Sequence, residues 1–99
     1  MKLIEINLQT IFDLCRRYKV DKLFVFGSIL TPHFNQDSDV DMVVNFKELP
    51  LEDYADNYMN FKEALVQLFG REVDLLEETG IRNKVLQSNI DRTKKLIYG

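Results

Sequence analysis

Two apolar segments flank a short polar one between Leu23 and Phe46, in the order LFVFGSILTPHFNQDSDVDMVVNF. This arrangement restricts the fold more than anything else in the chain. Lys22–Phe26 and Val40–Asn45 are mostly β-branched or apolar, which reads as two strands. Gly27-Ser28 closes the first, and Asp39-Val40-Asp41 opens the second. Pro32 and the polar run Asn35-Gln36-Asp37-Ser38 place a turn of helix and a loop between them. So short a connection sets the two strands side by side. Successive strand side chains alternate faces, so Asp39 and Asp41 project to one side and Val40 to the other. The two carboxylates then sit roughly 7 Å apart along the strand, close enough to share one metal ion or hold two.

The rest of the chain reads as a scaffold for this stretch. Asn7 is predicted to cap a helix over Leu8–Tyr18, with Leu8, Ile11, Phe12, Cys15 and Tyr18 on its apolar face. Arg16, Arg17 and Lys19 suit the negative pole at its end. Val20 and Asp21 turn the chain into the first strand. Pro50 opens a long helix with Glu52 and Asp53 in its first turn. Tyr54, Tyr58, Phe61, Leu65 and Leu68, with Phe69 beside them, form its stripe, and Gly70 ends it. Glu72–Leu76 is a third strand with Asp74 at its centre. Ile81, Val85, Leu86, Ile90, Thr93 and Ile97 trace a final amphipathic helix. The order α-β-(turn)-β-α-β-α predicts one α/β (α+β) domain over residues 1–99. Its short mixed sheet has about three strands, with helices packed on one face.

Composition narrows the function classes. With 99 residues the chain can bury one modest core. The formal net charge of −3 argues against broad, sequence-independent nucleic-acid binding, which needs an excess of Lys and Arg. No apolar run approaches the roughly 18 residues of a membrane span, and the N-terminus has no signal-peptide pattern. Cys15 is the lone cysteine, so no internal disulfide forms, in keeping with a reducing cytoplasm.

The chemistry concentrates on acids and small residues. An aspartate in the middle of a buried strand is costly without compensation, and Asp74 lies between apolar neighbours. If the third strand pairs beside the second, Asp74 joins Asp39 and Asp41. Three convergent carboxylates repel one another, and a cation removes the conflict. Hard oxygen donors without His or Cys favour Mg²⁺ or Mn²⁺. Gly27 lets a phosphate approach the backbone, and Ser28 adds a hydroxyl and an N–H at the start of the following turn. Together these parts read as a metal–nucleotide site, and two metals would allow in-line displacement at phosphorus. Plainer readings stand beside this one. Asp39 and Asp41 suit a solvated strand end, Asp74 a salt bridge to Arg71, and Gly27-Ser28 an ordinary capped turn. Asp37 reads as shaping the loop, His33 as a surface loop residue and Cys15 as core.

Gly27-Ser28, the group Ser38-Asp39-Val40-Asp41 and Asp74 in a later strand resemble the nucleotidyltransferase superfamily related to DNA polymerase β. In length the chain is similar to its minimal nucleotidyltransferase (MNT) branch. The resemblance implies that Asp39 and Asp41 hold two Mg²⁺ ions and that Asp74 is the third acid, beside the attacking hydroxyl. It implies that Gly27 and Ser28 hold the triphosphate of a nucleoside triphosphate, with ATP expected. The implied reaction transfers a nucleoside monophosphate and releases pyrophosphate. Many members read Gly-Ser-x-Ala-Arg-Gly after the first strand, and here Leu30, Thr31 and Pro32 fill the last three places. The missing cation bears on rate and nucleotide affinity. His33 or Arg82, Lys84, Arg92, Lys94 and Lys95 stand as substitutes. The MNT branch is commonly paired with a HEPN-domain ribonuclease toxin. The resemblance implies an antitoxin that adds AMP to a tyrosine of the toxin, binds it directly, or both; a transferase for a small molecule or an RNA end is the remaining alternative, made less favourable by the negative net charge and the lack of a second domain.

Overall fold

The computed structural model describes residues 1–99. Its elements, in order, are α1 (Lys2–Ile6), α2 (Leu8–Arg17), β1 (Val20–Phe26), a 3-10 turn (Gly27–Leu30) and β2 (Val40–Phe46). Then follow α3 (Leu51–Phe69), β3 (Val73–Glu77), a 3-10 turn (Glu78–Gly80), α4 (Lys84–Thr93) and β4 (Lys95–Tyr98). The sheet order is β3-β2-β1-β4. β1 runs antiparallel to both β2 and β4, whereas β2 and β3 are parallel and joined through α3. The sheet is therefore mixed, as expected, but it has four strands.

The fourth strand corrects the predicted final helix. That helix stops at Thr93, because Lys94 leaves helical geometry (φ −58°, ψ 148°), and Lys95–Tyr98 pairs with β1. Of its predicted apolar positions only Ile90 is buried, and Val85 is 70% exposed. Two further corrections fall at the N-terminus. Lys2–Ile6 is helical, and Asn7 separates α1 from α2. The Asn7 side chain makes no cap bond to α2; its Nδ2 donates back to the Leu3 carbonyl at 2.8 Å. Val20 and Asp21 belong to β1, and the turn is made by Lys19 at φ +60°.

Fifteen buried residues form one core on one side of the sheet. Leu23 and Val25 of β1, Val40, Met42 and Val44 of β2, and Val73 and Leu75 of β3 face it at period two. Ile4 and the pair Ile11 and Cys15, one turn apart, come from the N-terminal helices. Phe61, Leu65 and Phe69, spaced by four, come from α3, while the expected Leu8 stays largely out at 36% exposure. Gly70 ends α3 at φ +66°, with its N–H on the Val66 carbonyl, as its position predicts. Tyr58 fastens α3 to the sheet by donating to the Leu75 carbonyl at 2.6 Å.

Helices do not all lie on one face. Ile90 of α4 is buried outside the main cluster, and so is Val43, which alternates with Met42 and Val44. Lys94 lies over the ring of Phe24 at 4.3 Å, and Phe24 is registered against Val43. α4 thus covers the far part of the second face and leaves the Asp41 end of that face open. No helix is long and apolar enough to cross a membrane.

Candidate active site

The C-terminal end of β1 and the N-terminal ends of β2 and β3 meet at one corner of the sheet. Phe26 is registered against Asp41, and Asp41 against Asp74. The parallel pairing of β2 with β3 therefore places the second and third acids on adjacent strands and on the same face. Asp39 lies two residues before Asp41, with Val40 between them buried in the core. The three predicted acids come to one corner. They do not close into a ready three-ligand cage for a metal. Asp39 and Asp74 are exposed and Asp41 is half-buried. The expectation of a buried Asp74 is corrected: its strand is at the sheet edge and its side lies on the open face, so water solvates it.

Electrostatics single out Asp41. Burial first, then the charges of Asp74 and Asp39, hold its pKa above the usual carboxylate value. All three carboxylates are oxygen donors, with no His or Cys among them. Such a set fits a hard divalent cation such as Mg²⁺.

Gly27 is fixed here by two independent constraints. Its φ is +76°, where side chains are strained. A Cβ at this position would also run into the Asp41 carboxylate, with Cγ at 3.2 Å. The backbone of the Gly-Ser turn thus passes directly over the second acid. Ser28 is half-buried, and its carbonyl receives both the N–H of Thr31 at 2.9 Å and the Thr31 hydroxyl at 2.8 Å. The turn spans four residues, so little helix dipole is available. A phosphate contact here would rest on backbone N–H groups and the Ser28 hydroxyl.

Residues 31–38 join the Gly-Ser turn to β2, with Phe34 packed against the core, and their anchor is a residue the sequence did not single out for this role. Arg71 donates from Nη1 to the carbonyls of Asn35 at 2.8 Å and Ser38 at 2.9 Å. Its guanidinium also stacks on Phe34, 4.8 Å from the ring centroid. Arg71 is a loop clamp and not a partner of Asp74. Within the loop, the Asn35 side chain accepts from the N–H of Asp37 at 2.8 Å, so Asn35, not Asp37, shapes it. His33 is exposed in this loop, as expected.

Asp39 and Asp41 beside a Gly-Ser turn, with a third acid in register on a parallel strand, form the arrangement expected of a nucleotidyltransferase. The family described as "Polymerase beta, Nucleotidyltransferase" matches residues 9–99, and the chain belongs to that family. Within it, the fold is that of a minimal nucleotidyltransferase. A structure described as a "putative minimal nucleotidyltransferase" superposes with a TM-score of 0.78 at 26% identity, over 95% of this chain and 92% of that one. "Putative protein adenylyltransferase MJ1379" of Methanocaldococcus jannaschii is 30% identical over 82 residues, 83% of this chain and 79% of that protein. "Protein adenylyltransferase MntA" of Thermococcus cleftensis is 30% identical over 76 residues, 77% of this chain and 74% of that protein. The fold is also that of the MNT antitoxin solved with a tri-AMPylated HEPN toxin of Shewanella oneidensis. That superposition has a TM-score of 0.66 and 20% identity, over 96% of this chain and 71% of that one.

Proposed function

We propose that this chain is a Mg²⁺-dependent protein adenylyltransferase that moves AMP from ATP to a tyrosine hydroxyl of a HEPN-domain partner. In doing so it acts as the antitoxin of a cytoplasmic toxin–antitoxin pair. The observation that carries the reading is the register of Asp41 with Asp74 on parallel strands, directly beneath the Gly27 backbone. The identity to named protein adenylyltransferases supports the protein acceptor. Residues 1–99 act as one catalytic domain.

Asp39 and Asp41 would hold Mg²⁺, with Asp74 completing the set, and the metal would there offset charge on the phosphate oxygens and the leaving group. Mg²⁺ takes only one or two protein carboxylates and fills its shell with phosphate oxygens and water, so an open corner suits it. The Gly27 and Ser28 backbone would receive the triphosphate. The tyrosine oxygen attacks the α-phosphorus, and the bond from that phosphorus to the bridging oxygen breaks. Pyrophosphate departs with the bonding electrons, and the phenolic proton passes to Asp74, which is solvated at the sheet edge. The Arg71 clamp holds loop 31–38, which leads from the Gly-Ser turn to Asp39.

A second reading is favoured by Thr31, which is uncharged where the family pattern has arginine. In that reading the chain masks its partner by contact alone. Co-expression with the HEPN partner separates the two. The first reading expects an added AMP mass on a tyrosine of the partner and relief of toxicity, both lost in Asp39→Asn/Asp41→Asn. Full neutralisation by the double variant, with an unmodified partner, would establish the second.

A further inference from the structure

Beyond the three acids and the Gly-Ser turn, one further group is placed to touch the nucleotide. A cleft of about 480 Å³ opens beside the C-terminal end of β1. Gly27, Leu30, Thr31, Thr93 and Lys95 line it. Its size is that of small-ligand sites. Gly27 is shared between this cleft and the acid corner, because its other side abuts Asp41. Gly27 thus borders both, with the cleft across its backbone from the acids and Lys95 entering on the Val25 side of the sheet.

Lys95 is the one cation in this cleft, and it enters no ion pair. Its neighbour Lys94 is committed, at 2.9 Å from Asp91 and 3.6 Å from Glu78, with its ammonium over Phe24. Arg71 is likewise committed to the loop carbonyls. Lys95 opens β4 and is registered against Val25, two residues before Gly27. The strand pairing therefore fixes its backbone at the level of the Gly-Ser turn, although its side chain is exposed. The threonines add no positive charge. Each donates its hydroxyl hydrogen to a carbonyl, Thr31 to Ser28 and Thr93 to Asn89, both at 2.8 Å.

We infer that Lys95 binds the terminal phosphates of the nucleoside triphosphate in this cleft, an assignment that rests on the nucleotidyltransferase reading above. Three carboxylates and a triphosphate outweigh two divalent cations, so a further positive charge stabilises the loaded site. A flexible ammonium contacts phosphate as a point charge and needs no planar geometry. Because it meets the part that leaves as pyrophosphate, it acts on ATP and not on AMP.

Calorimetric titration of the intact chain with AMP-PNP in Mg²⁺, and separately with AMP, tests this. Wild type is compared with Lys95→Met, Lys95→Arg and, as a surface control, Lys62→Met. Lys95→Met is expected to weaken AMP-PNP binding about tenfold and leave AMP unchanged, with Lys95→Arg and Lys62→Met near wild type. AMP-PNP affinity in Lys95→Met within about twofold of wild type, with an unchanged circular-dichroism spectrum, overturns the inference alone. Equal weakening of AMP also overturns it, since the contact would then lie on the nucleoside side. A wild-type chain that binds no AMP-PNP in Mg²⁺ fails the underlying reading.

Discussion

Replacing Asp41 with asparagine should stabilise the metal-free protein while abolishing transfer. Asp41 is half-buried under Gly27 and faces Asp74 across the parallel pair. Asparagine keeps the shape and removes the charge. Adjacent strands lie about 4.8 Å apart, so directly paired carboxylates are about 5.5 Å apart. An effective dielectric of about 20 would make one like-charge pair cost about 3 kcal/mol, which solvent screening on this open face reduces to about 1 kcal/mol. Relief of about 1 kcal/mol raises the midpoint of a domain this size by about 4–8 °C. The pH dependence has a definite sign. Asp41 has a raised pKa in the fold, so its favourable share is full below the ordinary carboxylate pKa and is lost as pH rises through the raised value. The advantage of Asp41→Asn is therefore absent in acid and full near neutrality. Mg²⁺ with AMP-PNP reverses the order, because ligand linkage stabilises the wild type and not the variant. Thermal unfolding followed by circular dichroism, at acid and neutral pH with and without Mg²⁺ and AMP-PNP, reads all of this. A lower midpoint for Asp41→Asn at neutral pH without metal, or a gain that ignores pH, would refute the reasoning.

Gly27→Ala combines a strained φ with a collision against Asp41, and is expected to cost about 1–3 kcal/mol in urea denaturation and to abolish transfer. Wild-type stability in that variant would show that the turn relaxes freely. Arg71→Ala removes two bonds to loop carbonyls and the stack on Phe34, a loss of about 1–2 kcal/mol. Amide exchange across residues 31–38 should accelerate, whereas an unchanged rate would remove Arg71 from its clamping role. Burial pushes the Cys15 thiol up to about 12, so alkylation at pH 8 should proceed only as fast as the chain unfolds. Prompt labelling of the folded protein would contradict its place in the core.

Much of this was legible because local and tertiary signals agree. The two central strands, the helix from Leu51 to Phe69 and its Gly70 cap follow from periodicity and cap chemistry, and the structure places them there. From sequence the acids met only on the condition that the third strand pairs beside the second, and the parallel pairing of β3 with β2 meets it. What failed was decided by tertiary pairing. Lys95–Tyr98 continues the spacing of the preceding helix, with no Gly or Pro to mark the break. Only hydrogen bonding to β1 makes it a strand. Asp74 read as buried because its neighbours Val73 and Leu75 are core residues, yet at a sheet edge alternation puts it in water. α1 was missed because Lys2–Ile6 is only five residues with a single buried position, Ile4, too short for a helical period to show. The clamp by Arg71 depends on a contact 33 residues away and has no local signature.

Which phosphorus is attacked decides the proposed reaction. The HEPN-domain protein proposed as partner is incubated with this chain, Mg²⁺ and ATP carrying label on either the α- or the γ-phosphate. Label is expected on that protein from the α-position only, with pyrophosphate released in equal amount and no label from Asp39→Asn/Asp41→Asn. Label arriving from the γ-phosphate, or α-label that persists in the double variant, would contradict that reaction.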